Sequence, residues 1–150
     1  MTPRRTAVTT AAGGLALAAL AGCSKPTPGV TLVSDGRHVR SEATVYCRTG
    51  QTPVKRNCAT GGHGPTVIAV RQGAQLGVDV DRTLAQHGWY LVDVDGKQRT
   101  PVQDTHYFSF QVDFSGRPNG GVATYEIRSV DHVAENAKDT GTWVFQLTQR

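Results

Sequence analysis

The sequence lacks the motifs that most often identify an enzyme or a metal carrier. It contains no G-x-S-x-G motif, no methionine after Met1, and no two histidines spaced as H-x-H or H-x₃₋₅-H. Hydrolases with a nucleophile elbow, cupredoxin-type copper carriers and compact zinc sites each need one of these patterns. We therefore expect no catalytic residues, no metal ligands and no cofactor.

The sequence also has no strong excess of charge. It contains 16 Lys and Arg residues and 12 Asp and Glu residues. Arg4 and Arg5 lie in a segment that we expect to be removed, which leaves 14 against 12, a net charge of +2. So small a positive charge argues against nucleic acid as a partner.

The N-terminal segment has the composition of an export signal. Arg4 and Arg5 precede an uncharged run over residues 7–20 that is too short for a stable membrane span. Residues 20–23 read L-A-G-C, the bacterial lipobox pattern, in which the cysteine is diacylated and begins the mature protein. No later apolar run approaches the ~20 residues that a membrane helix needs, so the acyl chains on Cys23 would be the only anchor.

These features predict how the chain is organised. Residues 1–22 are expected to be a signal peptide, residues 23–29 a lipidated tether and residues 30–150 one domain. Two prolines and a glycine in the tether make it an extended spacer. We expect the exported protein on the outer face of the cytoplasmic membrane, attached through the lipid on Cys23.

The two remaining cysteines form an even pair. In an oxidising compartment Cys47 and Cys58 are expected to form a disulfide that closes a small loop. Two free thiols are the alternative. A zinc site is disfavoured because the ten-residue gap exceeds the usual C-x₂₋₄-C spacing.

The hydrophobic pattern predicts an all-β domain. Apolar residues mostly recur with a period of two between closely spaced turns. We predict about eight strands, at residues 30–34, 43–47, 66–71, 75–80, 89–94, 107–114, 122–130 and 142–148. Hairpin signals such as Asp35-Gly36 favour antiparallel pairing, and hence a two-sheet antiparallel sandwich that is immunoglobulin-like in architecture only. Short helical segments are expected at residues 81–87 and 132–138.

Four carboxylates form a candidate cation site. Asp79 and Asp81 are two residues apart, as are Asp93 and Asp95, so each pair would share one face of a strand. If the two strands paired directly, the four carboxylates would crowd one surface and repel one another unless a cation bridged them. The alternative is a solvated strand end and turn, where the charge is offset by nearby basic residues: Arg82, Lys97 and Arg99.

Several other residues have both a functional and a structural interpretation. The basic residues Arg48, Lys55 and Arg56 would suit anionic head groups or wall polymers, or would be simply solvated. The larger aromatic residues would line a ligand pocket or pack in the core: Trp89, Phe108, Phe110 and Trp143. Ser109 and Ser115 have no recognisable catalytic setting, and the five histidines are expected at the surface.

The order of several short motifs carries a family resemblance. The motifs are Cys23–Pro28, Ser41-Glu42-Ala43 before Cys47, Gly77–Asp81, Gly88–Leu91, Thr105–Phe110 and Gly141–Leu147. In this order they resemble an uncharacterised actinobacterial lipoprotein family, the domain-of-unknown-function family 2771. The resemblance covers most of the mature chain. It implies an exported, lipid-anchored protein of high-GC Gram-positive bacteria, and it implies no activity and no functional residue.

Three functions follow in order of preference. The first is a non-catalytic envelope domain that binds a protein or a wall polymer. The second is a carrier of a small ligand or a metal on the same scaffold, and the third is an envelope hydrolase. A cavity of a few hundred Å³ among Trp89, Phe108, Phe110 and Trp143 would favour the carrier. A filled core with a bare apolar patch on a sheet face would favour partner binding.

Overall fold

The computed structural model of the chain describes residues 26–47, 58–61, 64–117 and 121–150. The predicted signal peptide and Cys23 lie outside these residues. So do Arg48, Lys55 and Arg56, the basic residues of the long loop. Among the described residues, no helix is long and apolar enough to cross a membrane.

The described residues form eleven strands and one short helix. The strands are β1 Gly29–Ser34, β2 Arg37–Glu42, β3 Val45–Tyr46, β4 Ala59–Thr60, β5 Thr66–Val70, β6 Gln75–Val80, β7 Trp89–Asp93, β8 Gln98–Arg99, β9 Tyr107–Gln111, β10 Val122–Val130 and β11 Asp139–Gln149. The helix α1 spans Arg82–His87. The two longest strands, β10 and β11, pair along most of their length.

The strands make two sheets. The four-stranded sheet has the order β2-β1-β6-β9 and is antiparallel throughout. The seven-stranded sheet has the order β4-β3-β11-β10-β7-β8, and β5 pairs with β11 beside β3. The β5–β11 pair is parallel, and the other pairs of this sheet are antiparallel. The prediction of two antiparallel sheets in a sandwich-like arrangement is confirmed, with this one exception.

The core lies where the inward faces of the two sheets meet. In β11 the alternation predicted from the sequence is present, because Trp143, Phe145 and Leu147 are each 0% exposed. They pack in one cluster with β1 and β6 of the opposite sheet, through residues such as Leu32 and Val78. Burying several large apolar side chains in this way is the main stabilising term of such a domain.

The turn of the β1–β2 hairpin was predicted from the sequence, but its second strand was not. Asp35 and Gly36 have φ angles of 50° and 73°, as a two-residue turn between paired strands requires. The strand that follows, β2, was not predicted, because it is a polar edge strand with little apolar alternation. The strand predicted over residues 43–47 is reduced to β3.

Two further predictions need correction. Residues 132–138 form bends and turns, not a helix, because the loop is closed by main-chain and side-chain bonds between Asp131 and Lys138. The strand predicted over residues 107–114 ends at Gln111. Val112 and Phe114 are nevertheless buried, so the apolar pattern extends past the strand.

One side of the sandwich is tied by polar and covalent links. The Asp35 carboxylate accepts hydrogen bonds from Arg71, which follows β5, and from Arg150 at the C-terminus. Ser41 of β2 also accepts a bond from Thr66 of β5. At the end of β3, Cys47 and Cys58 form the predicted disulfide. We call this side, where β2 meets β5, the closed side.

Candidate functional site

The opposite side of the sandwich contains a cleft of about 500 Å³. It lies between β9, the edge of the four-stranded sheet, and β7–β8, the edge of the seven-stranded sheet. Side chains from both sheets and from the turn after β9 line it, among them Leu91, Asp93, Asp95, Gln98, Arg99, Phe108, Phe110, Asp113, Arg117 and Tyr125. We call it the aromatic cleft.

A row of aromatic rings leads from the core into the cleft. The Trp89 and Phe108 ring centroids are 6.4 Å apart, and Phe108 stacks on Phe110 at 6.2 Å. Phe110 then meets Tyr125 of β10 at 5.1 Å. Strand alternation explains the row, since residues two apart in β9 point to one face. Trp89 is fully buried, whereas Phe108 and Phe110 are only partly buried and line the cleft.

Arg117 forms one end of the cleft. It lies in the turn after β9 and crosses to the other sheet, where its two terminal nitrogens each donate to Asp93 of β7 at 2.6 Å. It also donates to the Tyr125 hydroxyl at 2.9 Å, and it lies 3.6 Å from Asp95. Only 10% of the Arg117 side chain is exposed. The ion pair therefore links the two sheets across the cleft.

The ionic groups at this end hold one another in their charged forms. Burial alone would raise the pKa of Asp93, but hydrogen bonds from Arg117 and from the Gly96 N–H outweigh it and lower that pKa. The bond to Asp93 raises the pKa of Arg117 above its ordinary value. Burial raises the pKa of Tyr125, so its hydroxyl stays protonated. On the rim, bonds from Gln72 and Ser115 lower the pKa of Asp113 to about 2.

The structure does not bring together the four carboxylates that were weighed as a cation site. Asp79 lies on β6 of the four-stranded sheet and Asp93 on β7 of the other sheet, so their strands do not pair. Asp81 instead binds Arg40 and the Gly29 N–H. The counter-ions are thus Arg40 and Arg117, not the three basic residues nearest in sequence. Within the described residues, no three His, Cys, Asp or Glu side chains are grouped as metal ligands.

The residues weighed as nucleophiles lie in polar surroundings. Ser109 is on the outer face of β9 and accepts a hydrogen bond from Gln75. Ser115 is in the turn that follows and bonds Asp113 and Gln72. Among the described residues, neither hydroxyl has a histidine among its hydrogen-bond partners.

The cleft is lined by only two of the four aromatic residues weighed as a pocket lining. Phe108 and Phe110 line it, but Trp89 and Trp143 are completely buried in the core. Arg117, which completes the site, was missed. It lies in a turn, and no local pattern ties a turn residue to a carboxylate 24 positions earlier.

Comparison with known proteins finds one matching family model and no matching curated protein or solved structure. The family model described as "Protein of unknown function (DUF2771)" matches residues 24–144. That range includes every strand from β1 to β10 and the first part of β11. The chain therefore belongs to the DUF2771 family.

Proposed function

We propose that this protein is a lipid-anchored, extracytoplasmic binding domain without catalytic activity, and that the aromatic cleft is its binding site. The observation that carries the proposal is a cleft of about 500 Å³ floored by partly buried aromatic rings. A groove with an apolar floor and a few fixed polar groups is the usual form of a binding site. Polar groups such as the Arg117–Asp93 pair bind each other at one end of this floor.

The membrane attachment in this proposal comes from the sequence. The lipobox at residues 20–23 would place an acylated Cys23 only three residues before Pro26, a span of at most about 10 Å. We infer that an immunoglobulin-like sandwich follows a cleaved signal peptide, and that the Pro26 end of this domain faces the membrane. Gly29 bonds Asp81 at that end, where β6 finishes. Arg117 and Asp93 lie toward the other end, so the cleft would open away from the bilayer.

The attachment has its own test. In cells that produce the full chain, a fatty-acid analogue should label the wild-type protein and not the Cys23→Ala variant. The variant should also remain in its precursor form. Labelling of Cys23→Ala, or equal membrane association of both proteins after an alkaline wash, would overturn the lipid anchor.

A small-ligand carrier is the second candidate. It is favoured by the volume of the cleft, which lies in the usual range for small-molecule sites, roughly 300–1,000 Å³. The core does not enlarge the cleft, because Trp89 and Trp143 are fully buried behind it. The ligand would have to lie on Phe108 and Phe110 and remain open to solvent on one side.

Photo-crosslinking distinguishes the two candidates and tests both. The photoreactive residue benzoylphenylalanine replaces Phe110 in the cleft or, as the matched control, Gln146 on the outer face of β11. After illumination of cells, the mass of the purified full chain is measured. We expect an adduct at position 110 and none at 146. A polypeptide adduct supports the binding domain, and a small-molecule adduct supports the carrier. Equal yields at both positions would overturn the cleft as a binding site.

A further inference from the structure

The free edge of β9 borders the aromatic cleft. Along its other edge β9 pairs with β6, where the Val80 N–H donates to the His106 carbonyl and the Val112 N–H donates to the Ala74 carbonyl, both at 2.9 Å. Hydrogen-bonded pairs alternate along an antiparallel ladder. These two bonds therefore fix which main-chain groups of β9 face β6 and which face the cleft side.

Alternation leaves three residues directed to the free edge. Phe108 and Phe110 are the β9 residues that bond β6. The N–H and C=O groups of Tyr107, Ser109 and Gln111 point away from β6. Among the residues that the structure describes, these groups have no hydrogen-bond partner. A row of unpaired donors and acceptors of this kind is complementary to one ligand chemistry, the main chain of an extended polypeptide.

The two edges of the four-stranded sheet differ in charge. The edge strand β2 carries Arg37, Arg40 and Glu42 in six residues. The edge strand β9 has the sequence Y-F-S-F-Q, with no charged residue and no proline. Charge and proline are the usual means by which proteins block strand addition at an edge. By this criterion β2 is protected and β9 is open to an added strand.

The seven-stranded sheet extends beyond β9 on this side. Phe108 and Phe110 of β9 pack against Trp89 of β7 and Tyr125 of β10. Strand β8 lies one strand further out than β7, and its Gln98 and Arg99 line the cleft. A strand added to β9 would therefore lie opposite β8, at the usual sheet separation of ~10 Å. Every second side chain of that strand would enter the aromatic cleft.

We propose that the cleft binds an extended segment of a partner polypeptide, which adds as a fifth strand to β9 and places alternate apolar side chains on Phe108 and Phe110. This inference rests on the proposed function and names the class of ligand. Main-chain bonds to Tyr107, Ser109 and Gln111 supply the affinity. The aromatic floor supplies a preference for apolar residues at every second position.

A second copy of this chain in the same membrane does not fit the geometry. Antiparallel pairing of β9 with another β9 requires a two-fold axis perpendicular to the strands, which reverses their direction. The Pro26 ends of the two copies would then lie at opposite ends of the dimer. Strand β11, with eleven residues, is about 35 Å long. Cys23 is only three residues from Pro26, so both anchors could not reach one bilayer.

The test uses the full chain in detergent micelles and short random peptides displayed on phage. We expect selection to enrich peptides with apolar residues at alternate positions. A peptide synthesised from an enriched clone should protect the amide hydrogens of Tyr107, Ser109 and Gln111 from exchange, as measured by NMR. Absence of any enriched peptide, or binding with no protection of these three amides, would overturn strand addition.

A matched pair of variants isolates the main-chain contact. Ser109→Pro removes an N–H that points to the free edge, while Ser109→Ala keeps the N–H and removes only the hydroxyl. We expect Ser109→Pro to weaken binding of the synthesised peptide at least about tenfold and Ser109→Ala to leave it nearly unchanged. Equal affinities would contradict the proposal. If Ser109→Pro does not fold, the exchange measurement on the wild-type protein decides.

Failure of strand addition is distinguishable from failure of the proposed function. A small-molecule adduct at position 110 with no enriched peptide would leave the cleft as a binding site and remove the partner strand. A dimer of the full chain in detergent, with the β9 amides protected in the absence of peptide, would replace the partner with a second copy.

Discussion

Two aromatic faces of this domain follow the same alternation and differ in what covers them. In β11, Trp143, Phe145 and Leu147 face the four-stranded sheet and are 0% exposed. In β9, Phe108 and Phe110 face the other sheet but are only partly buried, because β9 is the edge of its sheet and no described strand lies beyond it to cover them. The β11 face therefore stabilises the fold, whereas the β9 face leaves apolar surface accessible in the aromatic cleft.

The largest effect on stability is expected in the buried face of β11. Phe145→Ala removes a fully buried ring and leaves a cavity, so we expect it to lower the free energy of unfolding by ~3–5 kcal/mol. Gln146→Ala, one residue along on the outer face, should change it by no more than ~0.5 kcal/mol. Urea unfolding of both variants measures the difference. Similar small effects would show that β11 is not a core strand.

The disulfide should have the next largest effect. Cys47 and Cys58 are separated by 11 positions, and the loop-entropy relation gives ~3 kcal/mol for closing a loop of that size. We expect the Cys47→Ala/Cys58→Ala double variant to lose about that much stability in urea. Thiol counting on denatured, unreduced Cys23→Ala protein should find no free cysteine. Two reactive thiols would contradict the bond.

The Arg117–Asp93 ion pair at the end of the aromatic cleft should have a smaller, pH-dependent effect on stability. Because the pKa of Asp93 is lowered in the folded state, its contribution is complete above its unfolded value, ~3.9, and is lost as the pH falls through the folded pKa. We expect Asp93→Asn to cost ~1–2 kcal/mol at neutral pH. The wild-type advantage should disappear as the pH is lowered below about 4.

The control for this prediction is the exposed residue Asp104, for which no ion pair is found among the described residues. Asp104→Asn should leave the stability at neutral pH within ~0.5 kcal/mol of the wild-type value. Urea unfolding at several pH values compares the two variants. An Asp93→Asn variant that matches Asp104→Asn throughout would mean that Arg117 does not link the sheets.

The smallest stability effect is expected in the cleft itself. Phe110→Ala removes a partly buried ring that already borders solvent, so it should cost only ~1 kcal/mol, far less than Phe145→Ala. Binding should respond in the opposite order. With benzoylphenylalanine placed at position 108, Phe110→Ala should abolish photo-crosslinking. Gln146→Ala should leave it intact. A stability loss equal to that of Phe145→Ala would mean that the cleft is part of the closed core.

Alternation along the chain predicted most of the inward faces, and it could not predict which of them would be covered. The pattern in residues 142–148 and that in residues 107–114 look alike in sequence, because both place aromatics at every second position. What separates them is how far each sheet extends, which is set by strand order. Strand β2 was missed for a related reason, since an edge strand needs no apolar alternation to form.

The site was less predictable than the fold. Phe108 and Phe110 were candidates for a pocket because of their size and spacing. Asp93 was a candidate because of Asp95 two residues later, but its partner is Arg117, which lies in a turn after a different strand. Such a contact depends on the tertiary arrangement alone. The sequence offers only the presence of an arginine in that turn.

Hydroxyl-radical footprinting of the wild-type full chain tests most directly whether one aromatic face is open and the other closed. The readout is the oxidation of each aromatic side chain by mass spectrometry. We predict that Phe108 and Phe110 are modified, while Phe145 and the more reactive indoles of Trp89 and Trp143 are protected until the protein is unfolded. Protection of Phe108 and Phe110 equal to that of Phe145 would contradict the open cleft.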